Sequence, residues 1–241
     1  MICPKCGKTY SDGNYKRCPE DGTELVKEQL DYRVDNGAIY PNEKISGRIA
    51  IPSQVAGQTI TDIGEGAFRN CTGLKSVSIP DTVKSIGKMA FQNCSSLETI
   101  AVPNSVTTIE KYAFDACEML QEVKLSNSVK LIDDYAFQRC EKLLGIVIPN
   151  SVTTIGDYVF KGCDELNSIV LGNSVATIGE RAFEGCRNLR KIIIPKSMQA
   201  IGRGAFQSCE KLKFVFIQGL FRKHLLEKTG VPEEAWKICL P

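Results

Sequence analysis

The repeating unit of this chain is Ile148-Pro-Asn-Ser-Val-Thr-Thr-Ile-Gly-Asp-Tyr-Val-Phe-Lys-Gly-Cys-Asp-Glu-Leu-Asn-Ser-Ile-Val170, and variants of it occur on both sides. Two residue types mark the repeat most clearly. Cysteine recurs every 23 residues, at Cys71, Cys94, Cys117, Cys140, Cys163, Cys186 and Cys209. Phenylalanine keeps the same spacing, at Phe68, Phe91, Phe114, Phe137, Phe160, Phe183 and Phe206. A fixed period of this length indicates a solenoid, in which successive repeats stack as coils.

The apolar positions within one repeat indicate how a coil is built. The run Leu189-Arg-Lys-Ile-Ile-Ile194 is short, β-branched and followed by Pro195, which is typical of a strand that ends at a turn. The Ser-Val-Thr-Thr-Ile-Gly segment predicts a second short strand, and residues 157–163 predict at most about two helical turns. No coil can enclose its own apolar residues, so stacked coils must share one core and the two ends need caps.

The motif Ile-Pro-Asn-Ser-Val-Thr-Thr-Ile-Gly…Ala-Phe…Cys…Leu is nearly intact at 102–120 and 148–166. It resembles the BspA-like leucine-rich repeat of bacterial proteins, and the resemblance covers about 51–217. It implies an α/β to mostly β fold, a right-handed leucine-rich-repeat solenoid with a parallel sheet on one face. It also implies recognition of proteins or host surfaces, and no catalysis.

Composition and charge narrow the function classes. The 241 residues are 43% hydrophobic, and the formal net charge is +2. A chain of this size can bury a continuous core, and so small a net charge gives no general attraction to nucleic acid or anionic lipid. The N-terminus lacks an apolar segment with a cleavage site, and no apolar run could span a membrane. We therefore expect a cytoplasmic protein without membrane insertion, unless a secretion signal has been removed.

The repeated cysteines are predicted to be structural. Seven of the 11 cysteines belong to the repeat, where each is expected to fill the turn beside Phe and Leu as a small buried side chain. Disulfides between neighbouring coils are the alternative, because stacked strands lie about 5 Å apart. In-register side chains of parallel coils point the same way, however, which disfavours such pairing. Unpaired thiols suit a reducing compartment.

Residues 1–24 differ from the rest of the chain and resemble a small zinc ribbon. Cys3-Pro-Lys-Cys6 and Cys18-Pro-Glu-Asp21 are two knuckle-like segments, in which Pro and Gly favour tight turns. So small a module cannot fold on apolar burial, and a tetrahedral metal replaces the core. The predicted ligands of a structural Zn²⁺ are Cys3, Cys6, Cys18 and Asp21. The alternative is a pair of turns without metal, since structural zinc sites prefer Cys or His to a carboxylate.

Both ends of the solenoid are predicted to be capped. Residues 25–50 contain alternating residues around Asn36-Gly37, which predicts a hairpin N-cap. Five extra residues at 54–58 predict a loop at one corner of the first repeat. Residues 218–241 lose the repeat, and Leu220–Gly230 and Val231–Cys239 predict two short amphipathic helices. We expect a helical C-cap at 218–241; the alternative is a docking or dimerisation helix.

Variation between repeats is where a binding site could be encoded. In Leu-x-x-Ile-x-Ile, the residues on either side of the central Ile point away from the core along the strand-lined face. Toward the C-terminus these positions become apolar, at Val147, Val170, Ile193, Phe214 and Phe216. We name these five residues the apolar strip. A strip of this kind binds a partner, is covered by the chain's own tail, or is left solvated.

A second column of aromatic residues lies on another edge. Tyr112, Tyr135 and Tyr158 share the 23-residue spacing, with Met89 before them and Arg181 after them. Aromatic columns recruit sugars, peptides or bases, but more often they pack on themselves. We favour self-packing.

Catalytic residues are scarce. The only histidine is His224, and a Cys/His pair with Cys239 would join residues fifteen positions apart with no orienting partner in view. We predict no enzyme. The leading hypothesis is a protein-interaction scaffold that binds a protein or peptide at the apolar strip. The alternatives are a nucleic-acid or regulatory adaptor led by the zinc ribbon, and a bacterial surface adhesin; the sequence leaves partner identity and oligomeric state open.

Overall fold

The protein is described by a computed structural model, which defines residues 17–20, 22–23, 32–218, 228–231 and 236–239. The regular structure in these residues is short β-strands. In chain order they are β1 Tyr32–Asp35, β2 Ala38–Pro41, β3 Gly47–Ala50, β4 Gln54–Val55, β5 Gln58–Thr59, β6 Asp62–Ile63, β7 Leu74–Ser78, β8 Ser85–Ile86, β9 Thr99–Ala101, β10 Thr108–Ile109, β11 Glu122–Lys124, β12 Leu131–Ile132, β13 Gly145–Val147, β14 Thr154–Ile155, β15 Ser168–Val170, β16 Thr177–Ile178, β17 Lys191–Ile194, β18 Ala200–Ile201, β19 Phe214–Gln218 and β20 Trp236–Cys239.

Stacked coils form two long parallel arrays of strands. A nine-stranded sheet has the order β1-β2-β6-β8-β10-β12-β14-β16-β18, and we call it the second sheet. The opposite array contains a six-stranded sheet, β3-β7-β9-β11-β13-β15, followed by a three-stranded sheet, β17-β19-β20. The outer side of this array is the strand-lined face. Only the β1–β2 and β4–β5 hairpins pair antiparallel among the described strands. The predicted, mostly β solenoid is thus confirmed.

The register of both arrays follows the 23-residue period. Thr108 pairs with Leu131 in the second sheet, and Val147 pairs with Val170 on the strand-lined face. In the strands of the regular coils, side chains alternate between core and solvent, as in β9, where Ile100 is buried between exposed Thr99 and Ala101. The β-branched Ile and Val residues of the repeat therefore meet their counterparts from neighbouring coils inside one dry core.

The phenylalanines form a continuous stack through this core. All seven rings are buried. Consecutive ring centroids lie between 5.1 Å, for Phe68 and Phe91, and 5.7 Å, for Phe137 and Phe160. Ring planes in the stack are nearly parallel, within 12° of each other. Each coil therefore fixes the position of the next, and the solenoid presents a preformed surface.

The segment around each phenylalanine is a series of turns, and the predicted helical turns are wrong. The N–H of Phe68 donates to the carbonyl of Ala90 in the next coil at 2.7 Å, whereas the N–H of Arg69 donates within its own turn to Gly66 at 3.0 Å. A helix would need every N–H for its own ladder. Residues with positive φ also recur in each turn, such as Tyr112 at 59° and Ala116 at 56°, and break any right-handed helix.

Two hairpins precede the regular coils. The first turns at Asn36 and Gly37, which have φ of 49° and 83°, and its strand β2 joins the parallel second sheet through Ala38 and Asp62. The predicted loop at 54–58 is the small hairpin β4–β5, which turns at Ala56 and Gly57 with φ of 50° and 81°. The parallel stacking therefore begins with β2 and β3, before Ile51.

The C-terminal end differs from the predicted helical cap. No helix occurs in the part of the chain that the structure describes, and Trp236–Cys239 forms strand β20, parallel to β19. The second predicted helix is therefore wrong over these residues, because the open edge of β19 offers hydrogen bonds that a short isolated helix cannot match. The first predicted helix, Leu220–Gly230, lies largely outside the described residues. The carbonyls of Lys228 and Thr229 accept the N–H groups of Gly204 and Phe206, which completes the last turn.

Candidate binding face

The apolar strip lies on the strand-lined face and is largely exposed. The exposed fractions are 61% for Val147, 54% for Val170, 45% for Ile193 and 44% for Phe214. Phe216 is half-buried. These side chains point outward because their neighbours Ile146, Ile169, Ile192 and Val215 occupy the alternating core positions.

The register brings the members of the strip together in two groups. Val147 is the register partner of Val170, and Ile193 is the partner of Phe216. The rings of Phe214 and Phe216 lie 6.1 Å apart. On its other side, Phe216 is the register partner of Lys237 in β20, so this last strand borders the strip. The alternative of cover by the chain's own tail depends on residues 219–227, 232–235 and 240–241, which lie outside the described residues.

The strand-lined face is interrupted between the two groups. β13 and β15 share a continuous ladder through Gly145, Ile146 and Val147, whereas β15 and β17 belong to different sheets. Both strands are fully described, and no ladder pairs them. The second sheet runs without a break past this point, from β14 through β16 to β18. Val170 and Ile193 therefore face each other across a seam in one wall of the solenoid.

Two concavities lie along the edge where the chain enters these strands. One, of about 350 Å³, is lined by Leu144, Glu165, Asn167, Asn188 and Arg190. The other, of about 440 Å³, is lined by Arg190, Lys211, Lys213 and Phe214. Arg190 is common to both. Leu144 is itself 48% exposed, so the apolar surface extends beyond the predicted strip.

Sequence reasoning missed Leu144 and Arg190. They belong to the column Lys75, Glu98, Gln121, Leu144, Asn167, Arg190 and Lys213, which lies one residue before the first of the two outward-facing columns from which the strip was predicted. The same 23-residue alignment would have found this column. It shows a change from mixed charge at the N-terminal end to cations at the C-terminal end.

The charges on this face are also unevenly distributed. At its N-terminal end, Arg48 lies 3.9 Å from Glu98, and Lys124 lies 3.1 Å from Glu122. At its C-terminal end, Arg190, Lys191 and Lys213 are exposed and form no ion pair with any residue that the structure describes.

The tyrosine column on the other edge packs on itself. Ring centroids of Tyr112 and Tyr135 lie 4.5 Å apart, and those of Tyr135 and Tyr158 lie 4.8 Å apart, with nearly parallel planes. The Lys161 ammonium lies 5.4 Å from the Tyr158 ring centroid. Both faces of the Tyr135 ring, and one face of the Tyr112 ring, are therefore occupied by neighbouring rings and are closed to a sugar or base.

The repeated thiols are structural rather than reactive. Each thiol from Cys94 to Cys209 donates to the carbonyl of a phenylalanine in the preceding coil, as Cys140 does to Phe114 at 3.3 Å. Burial raises the pKa of Cys117, Cys140 and Cys186 well above the ordinary value, and that of Cys209 to about 12. A thiol that does not ionise is a poor nucleophile. The only histidine, His224, lies outside the described residues.

The predicted zinc site falls almost entirely outside the described residues. Cys3, Cys6 and Asp21 are not described, whereas Cys18 is buried. The Cys18 carbonyl accepts the N–H of Gly22 at 2.9 Å, and the Cys18 N–H donates to the carbonyl of Thr23 at 2.6 Å. Within the described ranges, no group of three or more His, Cys, Asp or Glu is arranged to hold a metal. Zinc binding at these four ligands remains a prediction.

The coil geometry and the repeat agree with one protein family. The BspA type leucine-rich repeat region matches residues 46–163 and 130–224, in six copies. The chain belongs to this family. The match leaves residues 1–24 outside it, so it carries no support for a zinc ribbon. No curated protein matches the chain.

Solved structures show the same fold. A leucine-rich repeat protein from Bacteroides ovatus is 29% identical with a TM-score of 0.71, covering 80% of this chain and 55% of that one. A leucine rich cell surface protein from Faecalibacterium prausnitzii is 32% identical with a TM-score of 0.67, covering 80% and 54%. A leucine-rich repeat protein from T. pallidum is 27% identical with a TM-score of 0.57, covering 88% and 92%. This chain thus spans about half the length of the first two proteins. In the described part of the chain, no helix has the length and apolar character needed to cross a bilayer.

Proposed function

We propose that this protein is an interaction scaffold that binds a protein or peptide segment along the apolar strip of its strand-lined face. One observation carries the proposal. The described chain has seven large apolar side chains that are exposed, and five of them, Leu144, Val147, Val170, Ile193 and Phe214, lie on this face. Apolar groups gathered on one surface mark an interaction site more often than apolar groups scattered singly.

The second sheet provides an internal comparison. Its outward positions are mostly small or polar, at Ser85, Thr108, Leu131, Thr154, Thr177 and Ala200. Both arrays belong to the same coils and share one core, so a column of large apolar side chains on the outside is not required by the solenoid itself. The stacked phenylalanines also hold the strip in place before a partner arrives, which lowers the conformational entropy lost on binding.

The dimensions of the strip suit a short extended segment. It crosses four strands, β13, β15, β17 and β19, and stacked strands are spaced about 4.8 Å apart, so its length is on the order of 15 Å. An extended peptide covers that distance with about five residues. Affinity from so short a contact depends on a few well-packed side chains, and Ile193 and Phe214 are the largest exposed side chains of the strip.

This proposal is tested by panning a display library of random peptides on the full chain. The peptides are about ten residues long, roughly 33 Å when extended. Peptides recovered on the wild type are measured again on the double variant Val170→Glu with Ile193→Glu. The control is Thr154→Glu with Thr177→Glu, which adds the same charge to outward-facing positions of the second sheet. We expect the strip variant to lose at least about tenfold in affinity while the control keeps it. Equal binding to both variants, with circular dichroism unchanged, would remove the strip as the binding site.

A surface-exposed role is the second candidate. The Faecalibacterium prausnitzii relative is described as a cell surface protein, and this chain is 32% identical to it. In that role the same strip would face a host or neighbouring-cell protein. Protease accessibility of the protein on intact cells discriminates between the two: digestion supports surface display, and protection supports a cytoplasmic scaffold, as the sequence predicts.

A further inference from the structure

The cations Arg190, Lys191 and Lys213 at the C-terminal end of the strand-lined face form no ion pair within the described part of the chain. Arg190 and Lys213 occupy the same column in adjacent coils, and the N–H of Lys213 donates to the carbonyl of Arg190 at 3.0 Å. Their side chains are exposed side by side. Like charges directly opposite each other on neighbouring strands are unfavourable. The fold therefore gains nothing from this pair, and a carboxylate brought by a partner would relieve it.

Carboxylates in the turns that precede these strands have other partners. Glu165 lies 2.6 Å from Lys142, and Asp164 lies 2.5 Å from Arg187. Glu210 lies 3.5 Å from the same Arg187. Lys211, which shares a concavity with Arg190 and Lys213, donates to the Asn188 amide oxygen at 2.6 Å instead of to a carboxylate. The positive potential of this surface is thus not neutralised by the described residues around it.

Cationic and apolar groups alternate here at the spacing of an extended chain. Lys191 is the register partner of Phe214, and Ile193 is the partner of Phe216. The concavity of about 440 Å³ combines the three cations Arg190, Lys211 and Lys213 with the ring of Phe214. A segment lying across β17 and β19 would meet a positive charge and an apolar side chain within about two residues of each other.

We infer that the partner bound by this face is an acidic segment of a protein, in extended conformation, with carboxylates next to aromatic or aliphatic side chains. The inference rests on the proposed function and specifies its partner. The carboxylates lie against Arg190, Lys191 and Lys213, and the apolar side chains lie on Val170, Ile193 and Phe214. Nucleic acid fits less well, because the strip is mainly aliphatic and offers few rings for base stacking, and the net charge is only +2.

The composition of the peptides recovered by panning is the first readout. We expect enrichment of Asp and Glu together with Phe, Leu or Ile, relative to the starting library. An enriched peptide, labelled with fluorescein, is then titrated against the full chain at several salt concentrations. Exposed charges are screened by salt, so we expect affinity to fall as ionic strength rises.

Charge neutralisation is the second readout. One variant combines Arg190→Gln, Lys191→Gln and Lys213→Gln. The control combines Lys84→Gln, Lys130→Gln and Arg203→Gln, which lie at exposed positions away from the strand-lined face and change the net charge by the same amount. We expect the first variant to bind the acidic peptide roughly tenfold more weakly and with a smaller salt dependence. The control should match the wild type.

The outcomes separate this inference from the proposed function. Peptides without acidic enrichment, sensitive to Val170→Glu with Ile193→Glu but unaffected by the triple neutralisation, would overturn the acidic partner and leave the binding face intact. Peptides indifferent to both variants would overturn both. Tighter binding of a labelled single-stranded RNA than of any recovered peptide would also overturn the acidic partner, in favour of a nucleic-acid ligand.

Discussion

The thiol of Cys117 donates a hydrogen bond to the backbone carbonyl of Phe91, 3.2 Å away in the preceding coil. The same carbonyl accepts the N–H of Cys94 within its own turn, also at 3.2 Å. Each of these phenylalanine carbonyls thus has both a local and an inter-coil donor. The regular spacing of Cys and Phe in this chain therefore reflects a hydrogen bond that is repeated from coil to coil, in addition to packing.

Replacing a central thiol tests this bond. Cys140→Ala removes the donor to Phe114 and leaves a small void in a fully buried site. We expect a loss of about 1–2 kcal/mol in the free energy of unfolding, measured by urea denaturation under reducing conditions. The exposed substitution Lys142→Ala is the control and should change little. An unchanged midpoint for Cys140→Ala would show that the thiol contributes neither bond nor packing.

Stability is also expected to depend on pH through these thiols. Burial raises the pKa of Cys117, Cys140 and Cys186 above the ordinary value of 9.0. A raised folded-state pKa gives stability that is fully present below the unfolded-state pKa and is lost as pH rises above it. We expect the urea midpoint to fall from about pH 9 upward. The slope should be shallower in Cys140→Ala, by up to about 1.4 kcal/mol per pH unit; an identical slope would contradict this account.

A buried carboxylate depends on an arginine from the next coil. Arg139 contacts both oxygens of Asp115, at 3.1 and 3.0 Å, and Gln92 donates to Asp115 at 2.8 Å. The Asp115 side chain is only 2% exposed, whereas Arg139 is 55% exposed. We expect Arg139→Ala to lower the free energy of unfolding by about 1–3 kcal/mol, because it leaves the buried Asp115 carboxylate without its ion-pair partner. Combining it with Asp115→Asn should recover part of the lost free energy of unfolding, measured by urea denaturation. Further destabilisation in the double variant would contradict an unpaired buried charge as the cause.

The left-handed positions separate backbone strain from ring packing. Met89 and Tyr135 occupy the same position in different coils, with φ of 57° and 60°. Glycine relieves the strain of such a residue by about 1 kcal/mol. We expect Met89→Gly to raise the thermal midpoint slightly, and Tyr135→Gly to lower it, because Tyr135 stacks on two neighbouring rings. Equal effects at both positions would show that the tyrosine stack adds no stability.

The zinc prediction is tested by metal analysis of the full chain. We expect about one zinc per chain, held by Cys3, Cys6, Cys18 and Asp21 with tetrahedral geometry. Cys6→Ser should abolish it, Asp21→Cys should tighten it, and Cys140→Ala, in the solenoid, should leave it unchanged. Cobalt substitution gives an independent readout, through thiolate-to-metal absorption. A metal-free chain purified in the presence of zinc would favour two turns without metal.

Much of the solenoid could be predicted from the sequence because its interactions repeat. The 23-residue period places Cys117 beside Cys140 and Phe114 beside Phe137, and both pairs are buried neighbours in the structure. Alternation within the strand predicts that Ile169 is buried and Val170 exposed, as observed.

The errors arise where a segment's hydrogen-bond partner lies in another coil. The turn at 157–163 has the length of a helix, but the N–H of Phe160 donates to Ala182 in the next coil at 2.7 Å. Residues 236–239 could form a helix in isolation, and only the edge of β19 makes them a strand. The seam between β15 and β17 has no signal in either strand taken alone, because both have the outward and inward alternation of an ordinary repeat.

That seam has a mechanical consequence. On the opposite side of the molecule the second sheet is continuous past it, and the turns are joined by bonds such as that from Phe160 to Ala182. Flexing of the solenoid that spreads its strand-lined wall therefore breaks no ladder between β15 and β17, whereas flexing elsewhere in the six-stranded sheet does. We therefore expect changes in curvature to concentrate between Val170 and Ile193, with the continuous second sheet acting as the hinge.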